Sequence, residues 1–276
     1  MTQNIIVFSD THCGCQVGLF PPEFRLDNGN IVKQSKVQRK LWALWEWAWN
    51  EWVPMVTKKE DYVIVNNGDT VDGKHHETVT QITQNITDQV GIAEAVIKPL
   101  IKAPRCAGYY QIRGTEAHVG KSGQAEEGLA KALGAEKDEI GNSARWEMWM
   151  RMGKSLTHFS HHIGTTQSTS YESTSVHKEL VEAFVDAGRW NNQPPDCVVR
   201  SHRHRQYEIK IATRNGYGIS LITPSWQLKT PHTYRFVLGR SSTSQIGLYL
   251  IRYGDEDGLY TRFWVKDMKR PKEVRI

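Results

Sequence analysis

Five times in this chain of 276 residues a short apolar run stops and Asp or His follows at once or within a few residues. Residues 5–8 lead into Ser9-Asp10-Thr11-His12, and residues 62–65 lead into Asn66-Asn67-Gly68-Asp69-Thr70-Val71-Asp72. Residues 109–113 precede Gly114-Thr115-Glu116-Ala117-His118, residues 156–160 precede His161-His162, and residues 197–200 precede Ser201-His202-Arg203-His204. Short apolar runs of this kind read as buried strands. In an α/β sheet the loops at the carboxyl ends of the strands line the ligand crevice. The five polar clusters are therefore expected to converge on one place.

Helical patterns lie between the strands. Over residues 37–55, Trp42, Trp45, Trp49 and Trp52 fall at spacings of three, four and three, which puts them on one helix face. Such a stripe reads as core, with base stacking as the other use of it. Further helices are expected over 82–101, over 125–133 with Gly134 as its stop, and over 176–187 with Gly188 as its stop. Residues 145–160 read as a hairpin turning at Gly153-Lys154, and the Ser/Thr-rich residues 164–175 as a loop. Beyond them the runs 207–212, 218–223, 247–253 and 260–265 fit antiparallel strands. Together these predict one α/β domain over 1–276, with a strand-rich part at 205–265 and a basic tail at 266–276.

Composition serves mainly to exclude. No stretch reaches the roughly 18 consecutive apolar residues of a membrane span. Residues 1–4 run into an apolar strand without a basic n-region, so no signal peptide is expected. Four cysteines do not make a disulfide framework, which favours a reducing, cytoplasmic setting. The net charge of +5 is compatible with nucleic acid without demanding it. Eleven histidines are a generous supply, and six of them (12, 118, 161, 162, 202 and 204) fall in the strand-end clusters.

Imidazoles mixed with a few carboxylates suit Mn, Fe, Zn or Ni rather than Mg or Ca. So many ligands exceed the needs of one tetrahedral ion and point to two ions, about 3.5–4 Å apart, sharing a carboxylate. Each cluster alone has a plainer reading as a turn or an exposed strand end; their joint occurrence in this order outweighs it. His75 and His76 follow Gly73 and read as solvated loop or as pocket rim. His158, His177 and His232 stand outside any motif and read as structural. Cys13 and Cys15 offer thiolate ligands or are reduced structural residues.

Taken in order, the clusters resemble the calcineurin-like metallophosphoesterase family. Its pattern is Asp-x-His, Gly-Asp-x-x-Asp, Gly-Asn-His-(Glu or Asp), a lone His after a strand, and Gly-His-x-His. Four of these five blocks match between Asp10 and His204, with Ser201 in place of the last Gly. The resemblance implies a four-layer α-β-β-α sandwich of two mixed sheets with a di-metal centre at the strand ends. It implies that Asp10 and His12 hold the first metal, that Asp69 bridges both ions, and that Asp72 orients the site. His161, with His162 as the fallback, and His202 would bind the second ion, and His204 the first.

The third block departs from the pattern. Direct alignment puts Thr115 at the family's Asn and Glu116 at its His, whereas a slip of two residues offers Glu116 as an oxygen ligand and His118 as the catalytic imidazole. The slip is preferred because it restores both chemical roles. The implied activity is phosphoester hydrolysis dependent on two divalent ions, Mn foremost, with Fe, Zn or Ni as the others. A phosphodiesterase acting on DNA, RNA or nucleotides is favoured by the positive charge, the basic tail, and Arg113 and Arg203 beside the site. The alternatives are a phosphomonoesterase acting on phosphoprotein or small phosphates, and a catalytically degraded metal-binding scaffold.

Overall fold

Alternate facing along short apolar strands decides the layering. The structure is a computed structural model describing residues 3–75, 77–164, 171–214, 216–235, 244–254, 258–268 and 272–274. The chain begins with β1 (Asn4–Phe8), β2 (Glu23–Arg25) and β3 (Ile31–Lys33). Helix α1 (Lys36–Trp47), a π-helical stretch (Ala48–Trp52) and α2 (Val53–Val56) then lead to β4 (Tyr62–Asn66) and α3 (Ile86–Ile101). Next come β5 (Cys106–Ile112), α4 (Glu116–Val119), α5 (Gln124–Leu133), β6 (Ala144–Arg145), β7 (Glu147–Met152) and β8 (Ser155–Ser160). The remainder is α6 (Glu172–Trp190), β9 (Cys197–Arg200), β10 (Tyr207–Thr213), β11 (Gly216–Ile222), α7 (Pro231–Arg235), β12 (Gln245–Gly254) and β13 (Gly258–Asp267).

The first sheet has the order β13-β12-β1-β4-β5-β6, with β1, β4, β5 and β6 mutually parallel and β12 antiparallel to β1. The second has the order β10-β11-β9-β8-β7, with a parallel centre and antiparallel edges. Ile6 and Phe8 of β1 face the helices, packing with Leu41, Trp45, Trp49, Ile92 and Leu129. Ile5 and Val7 face the other way and pack with Phe159, Val199 and Leu221 of the second sheet. Helix α6 covers that sheet's outer side through Val176, against Ile222. The result is the expected α-β-β-α sandwich of two mixed sheets. Its central layer of apolar side chains excludes water, at about 25 cal/mol for each Å² buried.

The tryptophan stripe is core, as its spacing predicts. Trp45, Trp49 and Trp52 are buried, and Phe8 meets Trp45 edge-on at 5.3 Å. Trp226 is fully buried 4.7 Å from Trp45 and joins the same core; Trp190 is exposed, with its indole N–H on Asp186.

Several boundaries differ from expectation. Helix α3 starts at Ile86 rather than 82, because Asn85 caps it by accepting from the Thr87 N–H while the Ile82 N–H is held by the Gly14 carbonyl. Helix α6 continues through Gly188 and stops at Asn191, which takes the left-handed conformation at φ +54°. The C-terminal strands divide between the sheets: β10 and β11 extend the second, with β11 parallel to β9, while β12 and β13 return to the first. Strand β13 runs to Asp267, into the expected tail, and 269–271, 275 and 276 lie outside the described residues, as do His76 and 165–170 of the Ser/Thr-rich loop. Among the described residues no helix is long and apolar enough to cross a membrane.

Candidate metal centre

Because β1, β4 and β5 are parallel, their following loops leave the first sheet at one edge, and those after β8 and β9 meet them from the second. The loop after β1 continues beside the loop after β4: Asp10 N–H donates to the Gly68 carbonyl at 2.9 Å, and His12 N–H to the Asp69 carbonyl at 3.1 Å. The Ser201 N–H donates to the His161 carbonyl at 2.9 Å. Two glycines permit this crowding. A Cβ on Gly68, which has φ +93°, would sit 2.6 Å from His161 Nδ1, and one on Gly114 would sit 2.2 Å from Asp69 Oδ1.

Two sets of ligand atoms result. Asp10 Oδ1 lies 3.1 Å from His204 Nε2, which lies 3.1 Å from His12 Nε2. Asp69 Oδ2 lies 3.0 Å from His161 Nε2 and 3.7 Å from His202 Nδ1. A third grouping joins His12, Asp69 and His118, so Asp69 stands between the two sets. Each set is one carboxylate with two imidazoles, a donor combination suited to Mn, Fe or Zn. Asp10 Oδ1 is buried without a hydrogen-bond donor, and the Nε2 atoms of His12 and His204 face each other at 3.1 Å beside it. The residues thus fit a divalent cation.

The backbone at these ligands is strained. Asp10, His12, Asp69, His202 and His204 all have positive φ, between 42° and 72°. Each such conformation costs on the order of 1–3 kcal/mol in a residue with a side chain, and its concentration at five candidate ligand positions is the clustering expected of a functional site.

Ring orientations are fixed from outside. His161 Nδ1 donates to the Asn67 carbonyl at 2.6 Å, and His118 Nδ1 to the Asp72 carbonyl at 2.6 Å, so each presents Nε2 to the centre. Asp72 Oδ1 faces His12 Nδ1 at 3.4 Å, the orienting position implied by the resemblance. Asp72 is itself held by amide N–H donors from Gln81 at 2.9 Å and Gln227 at 3.2 Å.

The third block keeps one half of the preferred slip, His118 at the centre, and not the other, Glu116 as ligand. Thr115 Oγ1 donates to Asp69 Oδ2 at 2.9 Å and stands 3.1 Å from His202 Nδ1. Glu116 is exposed, in the first turn of α4, and belongs to none of the ligand groupings among the described residues. The cause is the single helical turn that follows: it brings Thr115 and His118, three apart, to the same side and turns Glu116 away. His162 stands beside His161 but outside the groupings. Cys13 and Cys15 are buried, unpaired with each other, and burial pushes both thiols up to about 12, which suits structural cysteine.

Three further contributors surround the centre; of these, only His75 is noted from sequence, as solvated loop or pocket rim. His75 is largely buried with Nε2 3.6 Å from Asp72 Oδ1, in a grouping with Asp72 and His118. Glu126, fully buried, accepts from the N–H groups of Thr70 at 2.8 Å and Gly114 at 2.5 Å and so ties two site loops together. Its signal was a carboxylate on the apolar stripe of α5, with Leu129, Ala130 and Leu133. Ser201, Thr223 and Ser9 form a hydroxyl chain of 2.7 Å links that joins the two sheets beneath the centre.

Charge follows the geometry. Burial alone would raise the Asp10 carboxyl, but His204 holds it at about 2. Burial likewise opposes ionisation of Asp69, yet His161 and His118 hold it well below the usual range. Burial would lower His161, but Asp69 raises it to about 10 from an ordinary 6.5. Such a raised pKa contributes stability that is full below pH 6.5 and lost as pH rises toward 10. The melting temperature of the metal-free protein is therefore expected to fall across that window, and His161→Gln to flatten the fall. Calorimetry in chelator checks this; an equal slope in both proteins contradicts the ion pair. A cation at Nε2 displaces that proton, so metal uptake should weaken as pH falls.

No protein-family model and no curated protein sequence matches the chain. Solved structures are similar to it over almost their whole length. A conserved uncharacterized protein of Streptococcus pneumoniae TIGR4, described as a predicted phosphoesterase, is 9% identical, with 96% of this chain and 98% of that one covered and a TM-score of 0.36. Chaetomium thermophilum Vps29 is 8% identical, with 96% and 99% covered and a TM-score of 0.41. The E. coli phosphoesterase YfcE is 10% identical, with 93% and 96% covered and a TM-score of 0.38. At TM-scores this low, the functional reading rests on the geometry of the centre itself.

Proposed function

We propose that this chain is a dinuclear metallophosphoesterase of the calcineurin-like type, hydrolysing phosphodiesters of nucleic acid or nucleotides. The observation that carries the reading is the pair of carboxylate-and-two-imidazole sets, Asp10/His12/His204 and Asp69/His161/His202, with Asp69 between them. Divalent cations bound there, with Mn as the first candidate, supply Lewis acidity toward phosphate oxygens and a water acidic enough to ionise near neutral pH.

The chain's own residues supply position and protons. Asp10 and Asp69 hold fixed negative charge, Asp72 steadies the His12 ring, and Thr115 adds an oxygen where the family pattern has Asn. His118, with 13% of its side chain exposed, points Nε2 toward Asp69 Oδ2 at 4.0 Å. Burial pushes His118 down to about 4, with Asp69 opposing and His12 and His75 adding to the fall. Its Nδ1 is already committed to the Asp72 carbonyl, so proton delivery from Nε2 needs the imidazolium, which the negative charge of a bound phosphate favours. In that form His118 is the general acid for the leaving oxygen. Four unpaired cysteines support a cytoplasmic setting.

The test is a substrate panel of bis-(p-nitrophenyl) phosphate, p-nitrophenyl phosphate and DNA with added Mn. Diester turnover above monoester turnover, abolished by chelator, is the expected result. Monoester preference favours the phosphatase alternative. No turnover, together with less than one ion per chain, favours the degraded scaffold, for which the loss of the family's Asn at Thr115 is the supporting observation.

A further inference from the structure

A groove of about 1040 Å³ adjoins the centre, and Thr115 and His118 line it. Its other walls come from the start of α3, the first turns of α5, and the loop residues Lys74 and Lys121. Ligand cavities run to about 300–1,000 Å³, so this groove holds far more than a phosphoryl group.

A general acid must lie within hydrogen-bond reach of the oxygen it protonates. If His118 delivers that proton, the leaving group departs on the His118 side, and the groove that shares His118 receives it. Ile86 and Val90 give the groove apolar wall, and its exposed charged lining is two cations, Lys74 and Lys121, against one anion, Glu116. Apolar surface beside cations matches a nucleotide, with its flat base faces and phosphate links, and a concave groove admits a single strand more readily than a duplex. We propose that this groove is the leaving-group subsite and that it holds a single-stranded nucleic acid chain. The proposal rests on the hydrolase reading above for the role of His118.

Gly128 offers a clean probe. It lies on α5 in the groove wall, and a Cβ there meets nothing within 4 Å, so Gly128→Trp fills the groove without a backbone clash. Lys74→Ala/Lys121→Ala removes the charge instead. Binding of a fluorescent single-stranded oligonucleotide is read by anisotropy in chelator, and kcat/KM is measured with Mn on that oligonucleotide and on bis-(p-nitrophenyl) phosphate. Both variants are expected to weaken binding by about tenfold or more, with a steep salt dependence in the wild type that the lysine pair flattens. The loss of kcat/KM on the oligonucleotide should exceed that on the small diester by a similar factor. Unchanged binding, equal losses on both substrates, or tighter binding of duplex overturns the subsite. Groove-dependent binding without hydrolysis of either substrate keeps the single-strand site but removes the hydrolase, and with it the leaving-group role. Hydrolysis of the small diester with groove-independent binding does the reverse. Thermal melting of each variant separates these outcomes from misfolding.

Discussion

Asp69→Asn is expected to lower kcat on bis-(p-nitrophenyl) phosphate by roughly a thousandfold, the upper end of what one electrostatic group supplies, and to strip most of the bound metal. The size follows from position. Asp69 Oδ2 lies 3.0 Å from His161, 3.7 Å from His202 and 4.0 Å from His118, so one carboxylate serves both sides of the centre. Asn keeps an oxygen for the Thr115 N–H, which donates to Asp69 Oδ1 at 2.6 Å, so the loop retains its main anchor. What is removed is the charge. Metal content after desalting, circular dichroism and turnover measured on the same preparation separate lost chemistry from lost fold. A folded Asp69→Asn protein that keeps both its metal and its activity removes the bridging role.

His118→Ala should act selectively. A general acid contributes about 10²–10⁴-fold, and most where the leaving oxygen is a poor leaving group. On an alkyl or nucleotide diester the variant is expected to lose at least about a hundredfold in kcat. On bis-(p-nitrophenyl) phosphate, whose nitrophenolate leaves without help, the loss should stay below about tenfold. The contrast distinguishes proton delivery from simple positioning of phosphate, which affects both substrates alike. Equal losses sink the general-acid role and leave His118 as a positioning residue.

The convergence of the strand-end loops was legible because strand ends are. Runs such as residues 5–8 and 197–200 are too short and too apolar for surface helices, and parallel pairing forces their following loops to one edge. The layering was legible for the same reason, since Ile5 and Val7 must face opposite Ile6 and Phe8. The third block was not legible, because its outcome hangs on a single turn of helix after Thr115. Extended, the segment alternates its residues; helical, it sends Glu116 outward and brings His118 round to the centre. Four residues carry too little periodicity to decide between them.

Other features depend on contacts between distant segments. The place of Glu126 on the apolar stripe of α5 signals burial, but its partners come only from the packing of α5 under the Thr70 and Gly114 loops. His75 has no strand before it, so nothing local marks it as a neighbour of Asp72. The division of the C-terminal strands between two sheets is equally hidden, because β10–β11 and β12–β13 have the same local alternation and differ only in the partner each finds. The positive φ at five candidate ligand positions is also a product of tertiary packing: Asp and His enter this region several-fold more often than other side chains, but it stays uncommon even for them, so residue type alone does not announce it.

A two-metal centre built from the strand-end loops is open to anomalous diffraction at the Mn edge from Mn-loaded crystals. Two peaks are expected, one among Asp10, His12 and His204 and one among Asp69, His161 and His202. No peak at either place, or peaks only elsewhere on the molecule, contradicts it.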